Sequence, residues 1–242
     1  MQATVPQKVL IDFVIPRAWT QTHRNRIAVD VVLILSFAAF VSICAQIAIR
    51  FPTTTVPITG QTLGVLLTGG ALGSVRGGLS MLTYMMMGMI SLPVFAPTGS
   101  LLGEENVHFI LPWAGTDGFI WDLSSGGYII GFILAAYMVG LLAERGWDRR
   151  PSMPIAMIAG NLSIYLVGLP WLALFIASEV TIPGTSLSYY DAIGGNNVLD
   201  KTLKGGLYPF IGGDAIKLMA ATMALPGAWT IIKWMRGGDS SG

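Results

Sequence analysis

The stretch from Ile27 to Ile49 constrains the fold of this chain more than any other. It is 23 residues long, and its only charged residue is Asp30. A helix needs about 20 apolar residues to cross the hydrocarbon core of a bilayer. Inside lipid, a spanning segment must satisfy its own backbone N–H and C=O groups, which a helix does. The stretch is therefore predicted to be a transmembrane helix.

Five more apolar stretches follow it, at residues 58–75, 79–92, 126–143, 151–176 and 207–234. The whole chain is 53% hydrophobic and 11% charged, whereas soluble domains carry roughly 25% charged residues. The sequence therefore predicts an all-α membrane protein with six transmembrane helices in the cell membrane. The predicted spans at 58–75 and 79–92 are short for a bilayer.

The basic residues predict the orientation of these spans. Six spans place both termini on one side of the membrane. That side would carry ten Lys and Arg residues, and the other side three, namely Arg50, Lys201 and Lys204. The side richer in Lys and Arg is usually cytoplasmic. Both termini are therefore predicted to be cytoplasmic.

Three regions follow from this division: a polar cytoplasmic extension at 1–26, a six-helix domain at 27–236 and a tail at 237–242. Within the domain, Arg76-Gly77-Gly78 is predicted to be a tight turn, and Glu179 to Gly206 a polar connection. The connection from Val94 to Ser125 mixes acidic and aromatic residues, and connections this long are usually functional or lids. It is predicted to be a mobile lid with glycine hinges. Those hinges are Gly99, Gly103, Gly115 and Gly118.

Asp214 and Lys217 are the ionisable residues that stand out inside the predicted spans. They are three residues apart, so a helix places them on one face. An ionisable group inside a membrane costs a few kcal/mol unless it is paired or solvated. The two residues are either a structural ion pair or part of a ligand site.

The predicted topology brings further polar and aromatic residues to the membrane face that holds Asp214. They come from the starts of the second and fourth spans and from the fifth span, and they are Gln61, Tyr128, Asn161 and Trp171. Taken singly, each has a simpler role: an interhelical hydrogen bond for Gln61, a backbone contact for Asn161, and an interface anchor for Tyr128 and Trp171. Together they predict a pocket, because pockets combine apolar walls with a few placed polar groups.

Several classes of protein lack support in the sequence. The net charge of +1 gives no reason to expect a nucleic-acid partner, and Cys44 is the only cysteine. No P-loop, HExxH or Ser/His/Asp arrangement is present. We therefore expect no catalytic residues, no metal site and no cofactor, and an intramembrane enzyme is poorly supported.

Four motifs resemble the BioY family, the biotin-specific substrate-binding (S) components of energy-coupling factor (ECF) transporters. They occur in the family's order between about residues 30 and 235. They are Val56-Pro-Ile-Thr-Gly-Gln-Thr-Leu-Gly-Val-Leu, Gly88-Met-Ile-Ser-Leu-Pro-Val-Phe95, Gly126-Gly-Tyr-Ile-Ile-Gly-Phe132 and Pro209-Phe-Ile-Gly-Gly-Asp-Ala-Ile-Lys217.

The resemblance implies a six-helix protein that captures biotin on the outer side of the membrane. The implied partners are a transmembrane coupling subunit and two cytoplasmic ATPases. The implied biotin-binding residues are Asp214, Lys217, Tyr128, Gly127, Gln61 and Asn161, and we add Trp171 as a cover for the ring. The implied docking face on the first helix is a small-xxx-small pair, here Ala38 and Ser42.

The chain departs from the family pattern at two places. Ser124-Ser125 replaces the usual Pro-Thr or Pro-Ser before the glycine-tyrosine turn, and the connection from Pro97 to Asp122 is long and contains no Lys or Arg. Some family members carry a basic residue in that connection, so the partner of the biotin carboxylate stays open.

Two alternative functions also stay open. The first is an S component for another small vitamin. Direct measurement of ligand binding would distinguish such a protein from one that binds biotin. The second is a proton-coupled secondary carrier that uses Asp214 and Lys217 as a relay. Such a carrier would respond to a proton gradient without ATPase partners.

Overall fold

The computed structural model describes residues 8–50, 54–97, 107–149, 152–182 and 186–237. The helices are α1 (Ile11–Val14), α2 (His23–Ala45), α3 (Gln61–Leu72), α4 (Ser74–Met89), α5 (Gly126–Ala143), α6 (Met153–Ala177), α7 (Tyr189–Ala192), α8 (Val198–Gly206) and α9 (Tyr208–Gly237). The strands are β1 (Ala48–Ile49), β2 (Ile58–Thr59) and β3 (Val107–His108). Short 3₁₀ turns occupy Arg17–Thr20, Ile120–Asp122 and Trp147–Arg149.

The protein is mainly helical, as predicted, and a helix lies at each of the six predicted spans. Within the described residues, four helical segments are long and apolar enough to cross a bilayer: α2, α5, α6 and the segment Val198–Met235. The helices α3 and α4 are shorter, with 12 and 16 residues. The shortness predicted for these two segments is thus visible in the helices themselves.

The turn between α3 and α4 lies at Gly73. The prediction had placed it three residues later, at Arg76-Gly77-Gly78. Gly73 has a φ of 86°, a conformation that favours glycine. The Glu144 carboxylate accepts hydrogen bonds from the Ser74 N–H (2.7 Å) and from the Ser74 hydroxyl (2.8 Å). A carboxylate at the first turn of a helix satisfies free N–H groups. α4 therefore begins early enough to include Arg76.

Helix α5 lies between α3 and α6, and glycines allow the close contacts on both sides. A Cβ at Gly69 of α3 would lie 2.4 Å from the Ala136 carbonyl oxygen. A Cβ at Gly131 of α5 would lie 2.9 Å from the Ile164 backbone in α6. Small residues of this kind let membrane helices approach closely, so these contacts fix α3, α5 and α6 relative to one another.

The connection predicted from Glu179 to Gly206 contains two helices that the prediction missed. Ser188 caps α7 by accepting from the Asp191 N–H at 3.0 Å, and Asn197 caps α8 by accepting from the Asp200 N–H at 2.9 Å. Ser and Asn followed three residues later by Asp are helix start signals. The glycine-rich, polar composition concealed these signals.

A small antiparallel sheet lies just beyond the end of α2, in the order β2–β1–β3. Ala48 of β1 lies opposite Thr59 of β2 and His108 of β3. Through β3, the sheet joins part of the long connection to the end of the bundle where α3 and α5 begin. We call this end the cavity end, and the opposite end the terminal end.

The predicted extension at 1–26 packs against the terminal end as far as it is described, and α2 begins within it at His23. The Arg76 guanidinium pairs with Asp12 of α1 at 2.7 Å and with Asp30 of α2 at 2.8 Å. These ion pairs tie the extension to α4. Residues 1–7 of the extension and 238–242 of the tail lie outside the described residues.

Arg149 joins the extension to the last helix. Its guanidinium lies over the Trp229 ring at 3.8 Å and near the Phe13 ring at 5.6 Å. The Trp229 indole N–H donates to the buried Asp148 carboxylate at 2.6 Å. Burial raises the pKa of the Asp148 carboxyl above its ordinary value, and the nearby Trp229 and Arg149 oppose that rise. Arg149 thus holds together α1, the turn after α5, and α9.

We expect Arg149→Ala to lower the thermal unfolding midpoint, because cation–π contacts contribute about 0.5–1 kcal/mol each at accessible sites. The change also removes the cation beside Asp148. Thermal unfolding in detergent would measure the effect, with Arg145→Ala as the matched control because Arg145, which is also exposed, makes no such ring contact among the described residues. Equal midpoints for the two variants would contradict the role given to Arg149.

Candidate functional site

A cavity opens at the cavity end between the starts of α3, α5 and α9 and the middle of α6. Its atom-free space, including the open mouth, is about 540 Å³. Its walls combine apolar and aromatic side chains with a small number of polar and charged side chains. The lining residues that carry the argument are Gln61, Tyr128, Asn161, Tyr165, Asp214 and Lys217.

Asp214 and Lys217 form a direct ion pair inside this cavity. The Lys217 ammonium lies 2.9 Å from one carboxylate oxygen of Asp214, and the two side chains are 13% and 6% exposed. Both belong to the first turns of α9, where their three-residue spacing puts them on one face as predicted. The pair therefore presents donors and acceptors at a largely desolvated position.

The other Asp214 oxygen is held by helix α6. The Tyr165 hydroxyl donates to it at 2.5 Å, and the Asn161 side-chain amide donates at 3.1 Å. Asn161 and Tyr165 are four residues apart and share one face of α6. The prediction made Asn161 a site residue and left Tyr165, in the same stretch of the fifth span, without a role. The four-residue spacing of two hydrogen-bonding residues in an apolar helix was the available signal.

The side-chain carbonyl oxygen of Asn161 (Oδ1) is buried and has no hydrogen-bond partner within the described part of the chain. Buried polar atoms in folded proteins nearly always have partners, and each exception calls for an explanation. This oxygen belongs to a residue that lines the cavity. It is therefore placed to accept a hydrogen bond from an N–H group of a ligand.

Gln61 lines the cavity but is engaged in a buried network. Its amide donates to the Tyr84 hydroxyl at 2.6 Å, and its carbonyl accepts from the Thr59 hydroxyl at 2.8 Å. The Tyr84 hydroxyl in turn donates to the Val94 carbonyl at 3.2 Å. The network fixes the start of α3 against α4, so Gln61 shapes the wall of the cavity.

Tyr128 and Phe210 form the aromatic side of the cavity. Their rings are stacked with centroids 6.4 Å apart. The Tyr128 hydroxyl donates to the Gly206 carbonyl at 2.9 Å, and the Thr54 hydroxyl donates to the Gly205 carbonyl. The last residues of α8 are thus fastened to Tyr128 in the cavity wall and to the segment that precedes β2.

Gly127 and Trp171 do not line the cavity but pack behind it. A Cβ at Gly127 would lie 2.2 Å from the Trp171 side chain. The Trp171 indole N–H donates to the Leu123 carbonyl at 3.0 Å. Gly127 therefore lets α6 approach α5, which sets the position of Tyr128.

The predicted docking pair Ala38 and Ser42 is buried within the chain. Ala38 has no exposed surface and Ser42 is 3% exposed, and the Ser42 hydroxyl donates to the Ala38 carbonyl at 2.9 Å. With Val41 and Ala45 they form the stripe of α2 that faces the bundle. The prediction of an accessible docking face at these residues is therefore wrong for this structure.

The connection predicted as a lid is described only in part. Gly99, Gly103, Glu104 and Glu105 lie outside the described residues. Of the rest, Ala96 and Ser125 line the cavity. Phe109, Leu111 and Trp121 are exposed by more than half and point away from the core.

Known proteins with similar sequences belong to one family. The BioY family model matches residues 19–234. A "Probable biotin transporter BioY" of Pyrococcus horikoshii is 35% identical over 149 residues, which cover 62% of this chain and 77% of the relative. A "Biotin transporter BioY" of Thermotoga maritima is 30% identical over 188 residues, which cover 77% of this chain and 88% of the relative.

A solved structure has the same fold. The crystal structure of "the S-component for biotin from an ECF-type ABC transporter" superposes with a TM-score of 0.63 at 19% sequence identity, covering 87% of this chain and 95% of that one. The family model covers most of the 242 residues and the fold agrees with it. The chain therefore belongs to the BioY family, as the four motifs indicate.

Proposed function

We propose that this protein is the biotin-binding S component of an ECF-type transporter and takes part in biotin uptake. The observation that carries the proposal is the buried Asp214–Lys217 pair beside the unpartnered Asn161 carbonyl oxygen. Membership of the BioY family supports a transport role in a multi-pass membrane protein and not an enzyme.

The polar groups of the cavity match the ureido ring of biotin. That ring offers one carbonyl acceptor and two N–H donors. Lys217 donates to the ureido oxygen, the Asn161 carbonyl oxygen accepts from one N–H group, and Asp214 accepts from the other. A carboxylate has about four acceptor sites, and three donors already bind Asp214. One site therefore remains for the ligand.

The other predicted site residues have supporting roles in this proposal. Tyr128 and Phe210 pack against the apolar bicycle, since both rings line the cavity. Gln61 holds another part of the wall through its network with Tyr84. Gly127 and Trp171 keep Tyr128 in place from behind.

We further propose that the helices at all six predicted spans, including the shorter α3 and α4, cross the membrane, with both termini in the cytoplasm. The ten-to-three distribution of basic residues supports this orientation. The contacts of Arg76 and Arg149 gather basic side chains at the terminal end. The cavity then opens toward the outside, where biotin is captured.

The proposed partners are a transmembrane coupling subunit and two cytoplasmic ATPases. The family resemblance assigns the docking face to the first helix, and since Ala38 and Ser42 are buried, we expect it on another side of α2. Ser36 and Ala39 are small residues on its exposed side, and small residues allow close contact between helices. We assign the docking contact to that side.

The purified chain should bind biotin with high affinity in detergent and give no response to ATP. Isothermal titration calorimetry with biotin and ATP in separate runs measures both. Binding of another vitamin without binding of biotin would favour the related S-component function. A lack of any biotin response would refute the assignment.

The double variant Asp214→Asn/Lys217→Met should stay folded but bind biotin about two to four orders of magnitude more weakly. It loses two charge-assisted hydrogen bonds to the ligand, at about 1.5–3 kcal/mol each. Either single change should be less stable than the double, because breaking a buried pair costs about 3–5 kcal/mol. Melting temperature and biotin dissociation constant are measured together.

The control for this variant is Asp200→Asn/Lys204→Met, which removes the Asp–Lys pair of α8. Its partners are 2.8 Å apart and more exposed, at 29% and 49% of their side chains. It should bind biotin like the parent. Parental affinity in the Asp214/Lys217 double variant would refute the proposed site.

Ala39→Trp should abolish copurification with the coupling subunit while leaving biotin binding nearly intact. The added indole would block close approach of another helix on the exposed side of α2. Ala38→Trp is the matched comparison, and it should lower stability because overpacking a buried position costs about 1–3 kcal/mol. Unchanged copurification of Ala39→Trp would exclude this docking face.

A further inference from the structure

Three polar atoms beside the small sheet are buried and have no hydrogen-bond partner in the part of the chain that the structure describes. They are the Arg50 Nε, the Thr55 hydroxyl oxygen and the His108 Nε2. Arg50 directly follows β1, Thr55 precedes β2, and His108 belongs to β3. The Arg50 Nε–H is a donor, and the Thr55 hydroxyl and the Nε2–H tautomer of His108 can also donate, so the three segments together can serve an acceptor group of a ligand.

The register of the sheet puts Arg50 on the side of the cavity. Ala48 pairs with Thr59, and Ile49 with Ile58; extending this register by one residue beyond the two strands sets Arg50 opposite Pro57. Side chains two residues apart, and those directly opposite each other, share one face of a sheet. Pro57 and Thr59 both line the cavity. Arg50 therefore lies on the face of the sheet that borders the cavity, next to its lining residues and not among them.

His108 lies on this same face. It is directly opposite Ala48, which is two residues before Arg50. Ala48 is fully buried, whereas Ile49 on the other face is 40% exposed. The unpartnered atoms of Arg50 and His108 therefore belong to the inner side of the sheet.

The charges at the cavity end leave Arg50 as the cation for an anionic ligand. Lys217 is neutralised by Asp214. Lys204 pairs with Asp200, and the Lys201 ammonium donates to the Tyr190 and Ile193 carbonyls at 2.8 and 2.6 Å. Arg50 differs from these three lysines. Of the described Lys and Arg side chains at this end, it is the one whose charged group has neither a carboxylate nor a carbonyl partner.

We propose that Arg50 binds the carboxylate of the ligand's tail, with the Thr55 hydroxyl and the His108 imidazole beside it. This inference rests on the proposed function, since it gives biotin a second point of attachment at the far end from its ureido ring. A guanidinium suits this task because its fork of N–H donors matches a carboxylate. The long connection, which carries no Lys or Arg between 107 and 122, is then not needed for this contact.

The test compares biotin with biotinamide, whose tail is neutral, by calorimetry on the purified full-length chain. The parent should bind biotin more tightly than biotinamide. Arg50→Gln should weaken biotin binding about ten- to hundred-fold, the loss of one charge-assisted hydrogen bond. Its affinity for biotinamide should stay that of the parent, and Arg50→Lys should keep part of the preference for biotin.

Lys204→Gln is the matched control, because it removes a cation at the same end that already has a partner. It should leave both affinities unchanged. If Arg50→Gln lowered the affinities for biotin and biotinamide equally, Arg50 would have a structural role and the proposal would be overturned. An unchanged preference of this variant for biotin over biotinamide would also overturn it. A parent that binds neither compound would refute the proposed function itself.

Discussion

The burial of the Asp214 carboxylate is the constraint on which the cavity end depends. A carboxylate without partners in a low-dielectric interior is strongly destabilising. Here Lys217 supplies the opposite charge from α9, while Tyr165 and Asn161 donate hydrogen bonds from α6. Sliding either helix by one turn would remove these donors. The group that we assign to the ligand therefore also fixes the register of α6 against α9.

Close packing then carries this fixed geometry to the aromatic wall. Gly168 of α6 faces the Tyr128 ring, where a Cβ would lie 2.5 Å away, and Gly206 meets the Tyr128 hydroxyl. The ring consequently has little room to change rotamer. A site whose side chains are held by packing and by supporting hydrogen bonds presents its groups in one geometry. The glycine content of this chain thus serves the cavity as well as the bundle.

Local spacing predicted much of this structure, and contacts between helices account for most of what it missed. The Asp214–Lys217 pair follows from a three-residue spacing, and the approach of Tyr128 to it follows from spans that alternate in direction. Tyr165 lies four residues after Asn161 but was given no role, because the Asp214 oxygen that the two residues share belongs to another helix and local spacing does not show it. Ala38 was wrongly assigned to an accessible docking face because both sides of α2 are apolar. In lipid, hydrophobic periodicity no longer separates the buried face from the exposed one.

The charge balance at the cavity end is the reason that we assign different chemistry to the two parts of the proposed site. Lys217 is a weak attractor of anions because the Asp214 carboxylate, 2.9 Å away, cancels its charge. The α6–α9 end therefore favours a neutral ring with both donors and acceptors. Arg50 lies on the sheet with no carboxylate of its own within the described residues, and it favours an anion. An analogue that lacks either group leaves buried polar atoms unpaired, and such a loss discriminates strongly.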